Sequence, residues 1–252
     1  PPDTFTRSMV FGSSSCAKIC DKRFLADSEI VKVASAAGIS DANGSDIFLS
    51  CAAQVVAAPA LAVYHTLCSA LRGYVNWVNQ GYKIVVTGPP TCSLTLKKEY
   101  PDYLGLDDKI KSISENTFDI SEYLVYLNKK ELLKKDFKHS LGTINYHVSC
   151  HLKAQRMGFK GRDVLRLVPD TKINLVNQCS GMDGGWGMKS EFFDESMKVA
   201  ERCVNDLNQK EHDTVCSDCS LASHQLKQAS DDTMAPSHPI IELYKAYGFN
   251  EN

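Results

Sequence analysis

The cysteines of this 252-residue chain form two copies of one pattern, and this repeat constrains its fold and chemistry more than any other feature. Seven of the ten cysteines carry the pattern: Cys16, Cys51, Cys92, Cys150, Cys179, Cys216 and Cys219. Matched cysteines lie 134, 128 and 127 residues apart (16 to 150, 51 to 179, 92 to 219), so the two halves run nearly in register. A duplicated unit is indicated, and repeats of this kind decide the architecture.

The charge balance excludes several classes of partner. The chain has 28 basic and 30 acidic residues, with a pI near 6.4. No polybasic run is present, so we expect neither nucleic acid nor an acidic membrane surface as a partner. The Ala-rich stretch from Cys51 to Tyr64 is too short and too polar to span a bilayer, which predicts no transmembrane segment.

Cysteine usage indicates the compartment. Disulfide frameworks are typical of short secreted domains, whereas matched cysteine spacing in a larger chain indicates metal binding. We therefore expect a cytoplasmic or other reducing compartment, with any peripheral membrane association arising through partner proteins. The chain begins Pro-Pro-Asp without a methionine, so we expect a processed or truncated product.

Short apolar runs alternate with amphipathic segments and predict an α/β fold. The runs that predict strands are Met9 to Phe11, Ile47 to Leu49, Ile84 to Val86, Ile144 to Val148, Ile173 to Val176, and Asp213 to Val215. Apolar residues at helical spacing predict helices over Leu61 to Val78, Ile120 to Leu133 and Glu191 to Leu207. A repeat cysteine, or Pro89, follows each strand within five residues, at the strand ends where α/β proteins place their sites.

The same pattern predicts the domain organisation. We expect two pseudo-symmetric α/β lobes, which form a duplicated cysteine-rich domain. The predicted boundaries are 1–101 for the first lobe, 102–141 for a helical connector rich in Lys, Asp and Glu, and 142–252 for the second lobe.

Thiolates are soft ligands that suit iron–sulfur clusters and zinc. The second half offers four: Cys150, Cys179, Cys216 and Cys219, enough for a cubane cluster or a structural zinc. The first half offers Cys16, Cys51 and Cys92, and needs a fourth donor such as Cys20 or water. The glycines that follow Cys179 would let backbone N–H groups approach sulfur atoms.

Several segments resemble the CCG cysteine-rich domain, which is shared by one subunit of heterodisulfide reductase, one subunit of anaerobic glycerol-3-phosphate dehydrogenase and related oxidase subunits. The resemblance covers nearly the whole chain. The segments are Gly88 to Ser93 with Lys97 to Pro101, Tyr146 to His151, Gln178 to Lys189, and His238 to Ile241.

The resemblance implies iron–sulfur clusters, of the 4Fe-4S type, one or two per chain, held by the seven repeat cysteines. It also implies a partner subunit that contains flavin or is ferredoxin-like. The chain departs from the family pattern in three places: Cys51-Ala52 and Cys179-Ser180 replace Cys-Cys pairs, and Pro89 stands where a cysteine is expected. A noncubane cluster is therefore not expected.

Other candidate residues have structural alternatives. We expect Cys68 and Cys203 to be core residues, because they lie on apolar helix faces. We expect His147 to pack within a strand. His151 either donates a hydrogen bond to a cluster sulfide or is a capping or solvent-facing histidine. Trp186 either shields a cluster from water or forms a local lid or partner contact.

The sequence therefore favours an electron-transfer subunit of an iron–sulfur oxidoreductase. The alternative is a structural subunit that keeps the fold with zinc or without metal. A thiol–disulfide enzyme that uses Cys216 and Cys219 is the third hypothesis. No nucleophile–base arrangement or nucleotide-binding loop is evident, so catalysis by a side chain is not expected.

Overall fold

The computed structural model describes residues 74–105 and 107–249, together with the backbone of 46–49. It contains two three-stranded parallel sheets. The first has the order β1-β2-β3, with β1 Asp46–Leu49, β2 Lys83–Val86 and β3 Thr117–Asp119. The second has the order β5-β4-β6, with β4 Thr143–His147, β5 Lys172–Val176 and β6 Thr214–Ser217. The predicted α/β class is confirmed, and the predicted strand over Met9 to Phe11 lies outside the described residues.

Nine α-helical segments connect or flank these strands within the described residues, besides a helical stretch over 74–79. A π-helical turn, Thr95–Glu99, joins the first two of them into one continuous helix. Two 3₁₀ turns, Trp186–Met188 and Ser190–Phe192, precede α7. The helices are α1 Pro90–Leu94, α2 Tyr100–Leu104, α3 Asp108–Glu115, α4 Ile120–Lys129, α5 Cys150–Ala154, α6 Lys160–Leu165, α7 Phe193–Asn208, α8 Ser220–Ala229 and α9 Pro239–Ala246.

The sequence signals for the main helices correspond to observed packing and capping. The helix predicted over Glu191 to Leu207 is α7, whose apolar stripe includes Cys203, 0% exposed, as expected for a core cysteine. The helix predicted from Ile120 is α4, which begins at a capping box in which Asp119 and Glu122 satisfy each other's backbone N–H groups. Of the helix predicted over Leu61 to Val78, the described part, from 74, is helical.

The largest apolar cluster draws on both halves of the chain. It contains Val85 of β2 and the buried face of α4, including Tyr123, together with residues of α6 and α9 such as Val164 and Leu243. The predicted connector 102–141 supplies β3 to the first sheet and α4 to this cluster, so it packs as part of the core as well as linking the halves. The duplication into two lobes and the lobe boundaries stay predictions.

None of the helices in the described ranges is long and apolar enough to cross a bilayer.

The close approach of α6 to β4 and β6 yields a test of this packing. A Cβ on Gly161 of α6 would lie 2.5 Å from Asp218 Oδ1, 2.8 Å from the Tyr146 hydroxyl and 2.9 Å from Pro239 Cγ. Gly161→Ala should therefore lower the free energy of unfolding by about 1–3 kcal/mol, as overpacking does. Chemical denaturation measures the change. Gly185→Ala is the control: a Cβ added there would meet no atom within 4 Å, and the φ of −102° suits alanine. Equal stability of the two variants would contradict the described packing.

Candidate functional site

Three cysteines of the second repeat lie where β4, β5 and β6 end. Because the strands are parallel, their carboxyl ends meet at one edge of the sheet, which we call the carboxyl edge. Cys150 begins α5 shortly after β4. Cys179 lies in the loop that follows β5, and Cys219 is the N-cap residue of α8, just after β6. The prediction that these cysteines follow strand ends agrees with the structure.

The loop after β5 holds Cys179 at the surface and directs a backbone donor toward it. The Gly181 N–H donates to Cys179 Sγ at 3.4 Å. Gly181 has φ +81°, and a Cβ there would collide with the Ser196 carbonyl oxygen, so this position requires glycine. The Ser196 hydroxyl donates to the Gly181 carbonyl at 2.9 Å, and Gln225 of α8 donates to that hydroxyl at 2.5 Å. The loop is thus fixed against α7 and α8.

Cys219 is buried, with 7% exposure, at the start of α8. Burial raises the pKa of its thiol above the ordinary value, while hydrogen bonds from the backbone N–H groups of Ala222 and Leu221 lower it. A Cys150 thiolate also raises the pKa of Cys219, so these two thiols are close enough to interact electrostatically. Backbone N–H groups directed at sulfur are the donors that stabilise metal-bound thiolates.

Cys150 is exposed and lies beside an imidazole. Its Sγ is 3.6 Å from His151 Nδ1. This hydrogen bond is the main reason that the pKa of Cys150 is lowered and the pKa of His151 is raised. The same ring nitrogen lies 3.3 Å from the hydroxyl oxygen of Thr91, which belongs to the first repeat. His151 therefore contacts both halves through its side chain, which is a different arrangement from the capping role considered for it.

Cys216 has a different environment from the other three. The predicted strand ended at Val215, but β6 continues to Ser217, so Cys216 lies inside the strand. Its side chain is 0% exposed and packs with Ile144, Tyr146 and neighbouring apolar residues. Its Sγ lies 3.4 Å from Ser237 Oγ, and burial raises the thiol pKa far above its ordinary value. The structure thus brings three of the four predicted ligands to the carboxyl edge and places the fourth in the core.

The first repeat is only partly described. Cys92 is half-buried on α1 and packs against a cluster that includes Ile84, Val86 and Leu96. Cys16 and Cys51 lie outside the described residues, as do Cys20 and Cys68. The ligand roles predicted for Cys16 and Cys51, the possible donor role of Cys20 and the core position predicted for Cys68 stay predictions.

In the described part of the chain, no three His, Cys, Asp or Glu side chains converge at the spacing of a metal site. The chemistry of the donors at the carboxyl edge nevertheless suits a thiolate-bound metal or cluster. Three thiols share one edge, and two of them accept hydrogen bonds from backbone N–H groups.

Comparison with known proteins gives a match to a family model over part of the chain. Residues 144–227 match the family model described as "Cysteine-rich domain" (CCG). The predicted CCG resemblance is confirmed. The matched range contains Cys150, Cys179, Cys216 and Cys219, whereas Cys92 precedes it.

The curated proteins that resemble the chain include two that are each named as a subunit of an enzyme. The chain is 23% identical over 168 residues to a subunit of the anaerobic glycerol-3-phosphate dehydrogenase of Escherichia coli (strain K12), in an alignment that covers 66% of this chain and 41% of that protein. It is 29% identical over 147 residues to a subunit of the fumarate reductase (CoM/CoB) of Methanothermobacter marburgensis, over 56% of this chain and 28% of that protein. The alignments thus span well under half the length of either relative.

A solved structure also resembles the chain, at a level too low to support an argument. Glutamate racemase isoform RacE1 from Bacillus anthracis is 12% identical, with a TM-score of 0.36, over 86% of this chain and 75% of that one.

Near the carboxyl edge of the second sheet, a buried polar junction joins the two halves. The Ser121 N–H donates to Asp119 Oδ1 at 3.0 Å, and the Ser121 hydroxyl donates to Asp218 Oδ1 at 3.1 Å. The Tyr146 hydroxyl donates to Asp218 Oδ2. Asp218 lies between Cys216 and Cys219 in sequence, so the turn that presents Cys219 is tied to α4 of the first half. Sequence signals do not reveal this junction, because the Asp119–Glu122 spacing indicates only a helix cap.

A second set of polar contacts joins α5 to α1. Gln155, 7% exposed, donates through Nε2 to the Pro90 carbonyl at 3.0 Å and to Ser93 Oγ at 2.8 Å. These contacts fix the helix that begins at Cys150 against the first half.

Two further residues singled out by the sequence have local packing roles. His147, predicted to pack within a strand, is buried and contacts Ser217 Oγ at 3.0 Å and the Gln178 carbonyl at 3.1 Å. Trp186 is half-buried and stacks on Phe192 with ring centroids 5.3 Å apart.

The buried carboxyl of Asp119 predicts a pH dependence of stability. Burial, together with the charge of Asp218, raises the pKa of Asp119 to about 8. The unfolded carboxyl loses its proton near pH 4 whereas the folded one keeps it, so the free energy of unfolding falls as pH rises through this window. Burial lowers the pKa of His147 to about 4. This makes the free energy of unfolding rise with pH, but only at pH values below 6.5, the ordinary pKa of histidine. We therefore expect a falling stability between pH 6.5 and 8.

Asp119→Asn tests this expectation, because asparagine keeps the acceptor for the Ser121 N–H but cannot lose a proton. Between pH 6.5 and 8, the free energy of unfolding of Asp119→Asn should fall less steeply with pH than that of the wild type, by up to about 1.4 kcal/mol per pH unit. Urea denaturation at several pH values measures the slope. Asp170→Asn removes an exposed carboxyl and should leave the slope unchanged. Parallel wild-type and Asp119→Asn profiles would show that Asp119 is ionised in the folded chain.

Proposed function

We propose that this chain is an iron–sulfur-cluster-binding, electron-transfer subunit of an oxidoreductase complex. The observation that carries the proposal is the gathering of Cys150, Cys179 and Cys219 at the carboxyl edge of a CCG domain. Thiolates at such an edge are suited to a sulfur-bridged iron centre. When bound, the cluster would accept and release single electrons.

The surrounding residues would tune such a centre. The N–H groups of Gly181, Leu221 and Ala222 reach the sulfur atoms and would stabilise their negative charge. Burial of Cys219 would exclude water from one side of the centre, while the exposed Cys150 and Cys179 would leave the other side open to a redox partner. An electron-transfer subunit needs such an open side.

The partner would be a flavin-containing or ferredoxin-like dehydrogenase subunit. This proposal rests on the relatives, which are named as subunits of a dehydrogenase and of a reductase. Any association with a membrane would come through that partner.

Two observations favour the second candidate, a structural subunit with zinc or without metal. Cys216 is buried in the core, and the Cys-Cys pairs of the family are replaced by Cys51-Ala52 and Cys179-Ser180. A thiol–disulfide enzyme is disfavoured, because burial raises the pKa of both Cys216 and Cys219 and such an enzyme needs an accessible thiolate.

Metal analysis separates the two candidates. After anaerobic purification, iron, zinc and acid-labile sulfide are measured per chain, and EPR spectra are recorded in the oxidised and reduced states. About four irons with matching sulfide indicate one 4Fe-4S cluster, and about eight indicate two. Zinc alone, or no metal, would contradict electron transfer and leave the structural candidate.

Single cysteine variants test whether the metal centre lies at the carboxyl edge. Cys150→Ala, Cys179→Ala and Cys219→Ala should each lower the iron and sulfide content of the second-half centre severalfold. Cys203→Ala is the control: it removes a thiol that is buried in the apolar core with Val204 and Leu207, and it should retain the metal. Circular dichroism confirms folding. Full metal content in all three edge variants would place the centre elsewhere.

A further inference from the structure

Two of the turns at the carboxyl edge lie beyond the paired residues of their strands. β5 ends at Val176 and β6 ends at Ser217. Cys179 and Cys219 follow these ends, where the hydrogen bonds between neighbouring strands no longer fix the backbone. The position of one turn relative to the other therefore depends on contacts other than strand pairing.

The side chain of His147 lies between these two turns. His147 is the last residue of β4, the central strand, and it is paired with Val176 on one side and Ser217 on the other. Its Nε2 lies 3.1 Å from the Gln178 carbonyl oxygen, and its Nδ1 lies 3.0 Å from Ser217 Oγ. Because Gln178 directly precedes Cys179, the imidazole contacts the backbone of that turn.

The donors and acceptors around His147 form one directed chain of hydrogen bonds. A carbonyl oxygen can only accept, so Nε2 carries the proton and donates to Gln178. Burial lowers the pKa of His147 to about 4, so the imidazole is neutral near pH 7 and its Nδ1 accepts from the Ser217 hydroxyl. The Ser217 oxygen in turn accepts from the Cys219 N–H at 3.4 Å. We call this chain, from the Cys219 N–H through Ser217 and His147 to the Gln178 carbonyl, the relay.

A buried ring suits the centre of such a relay. His147 is 2% exposed, and both of its hydrogen bonds lie in the low-dielectric interior, which strengthens them. Imidazole also donates and accepts at opposite sides of one rigid ring, so it holds its two partners at a set separation. The third thiol at the edge has a separate anchor, because α5, which begins at Cys150, is fixed against α1 through Gln155.

We propose that His147 is a positioning residue, which fixes the turn of Cys179 relative to the turn of Cys219 through the relay. The relay belongs to the metal-free chain. Its value for a metal centre rests on the proposed function, because a centre bound by both thiols needs their turns at a defined separation.

The two arms of the relay can be removed separately. Asparagine places its side-chain oxygen near the position of Nδ1, and glutamine places its side-chain nitrogen near that of Nε2. His147→Asn therefore keeps the acceptor for Ser217 and loses the donor to Gln178, whereas His147→Gln does the reverse. His147→Phe keeps a ring and removes both arms.

Amide hydrogen exchange, followed by NMR in the metal-free full chain, reports on each turn. The Gly181 N–H, which donates to Cys179 Sγ, reports on one turn, and the Cys219 N–H reports on the other. We expect His147→Asn to accelerate exchange at Gly181 about threefold or more and to leave Cys219 unchanged, with the reverse in His147→Gln. His147→Phe should accelerate both. Thr117→Val, which removes a buried hydroxyl of the first sheet, is the control and should accelerate neither.

Two further measurements keep the test independent of how well His147→Phe folds. ¹⁵N-histidine labelling should show His147 as the neutral tautomer with its proton on Nε2 at pH 7. Ser217→Ala leaves the imidazole in place and should accelerate exchange at Cys219 without a change at Gly181. Melting curves establish that each variant is folded.

The outcomes separate the inference from the proposed function. Opposite exchange patterns in His147→Asn and His147→Gln support the inference. Equal acceleration of both amides in these two variants, or a proton on Nδ1, overturns the inference; if the wild type still binds iron and sulfide, the proposed function stands. Opposite patterns in a chain that binds no iron support the relay and overturn the proposed function. Where iron binds, His147→Phe should hold severalfold less than the wild type, and full iron content in this variant would contradict the positioning role.

Discussion

The parallel pairing of β4 with β5 and β6 is the constraint on which the site depends. Parallel strands end at one edge, so residues separated by up to 69 positions in sequence, from Cys150 to Cys219, lie along the same edge. A different local structure follows each strand: a helix begins at Cys150, a glycine turn contains Cys179, and Cys219 is a helix N-cap. These local structures determine how exposed each thiol is and which donors reach it.

The two halves are joined by an apolar core and by buried polar groups. These two kinds of contact contribute differently to the free energy of folding. The cluster of β2, α4, α6 and α9 contributes the hydrophobic stabilisation expected of a single core. The Asp119–Ser121–Asp218 junction lies close to the turn of Cys219 and buries two carboxyl groups. Burying a charged carboxylate costs more free energy than burying a protonated one. This difference raises the pKa of Asp119, which keeps its proton in the folded chain. The junction therefore fixes the orientation of α4 relative to β6 more than it increases the free energy of unfolding.

The parts of the fold that have a local sequence pattern could be predicted from the sequence, and the parts that depend on tertiary contacts could not. The same is true of the site. Strand β2 is an apolar run rich in branched residues. Strand β3 has no such pattern, because it is three residues long and contains polar Thr117 and Asp119, which are buried through tertiary contacts. Cysteine spacing and strand ends placed Cys150, Cys179 and Cys219 at one edge. The side-chain direction of Cys216 depends on where β6 ends, because successive residues of a strand face opposite sides. Continuation of β6 to Ser217 places Cys216 on the Ile144 and Tyr146 face, whereas Val215 packs with Cys203 and Leu207 on the other. A boundary shift of two residues thus changes the predicted donor set.

Anomalous X-ray scattering from anaerobically grown crystals, recorded above and below the iron edge, tests the central claim most directly. We predict iron peaks at the carboxyl edge of the second sheet, with a different iron within about 2.3 Å, the distance of a metal–thiolate bond, of each of the sulfur atoms of Cys150, Cys179 and Cys219. A folded protein with no iron peak at this edge, or with iron bound only at other residues, would contradict the proposed site.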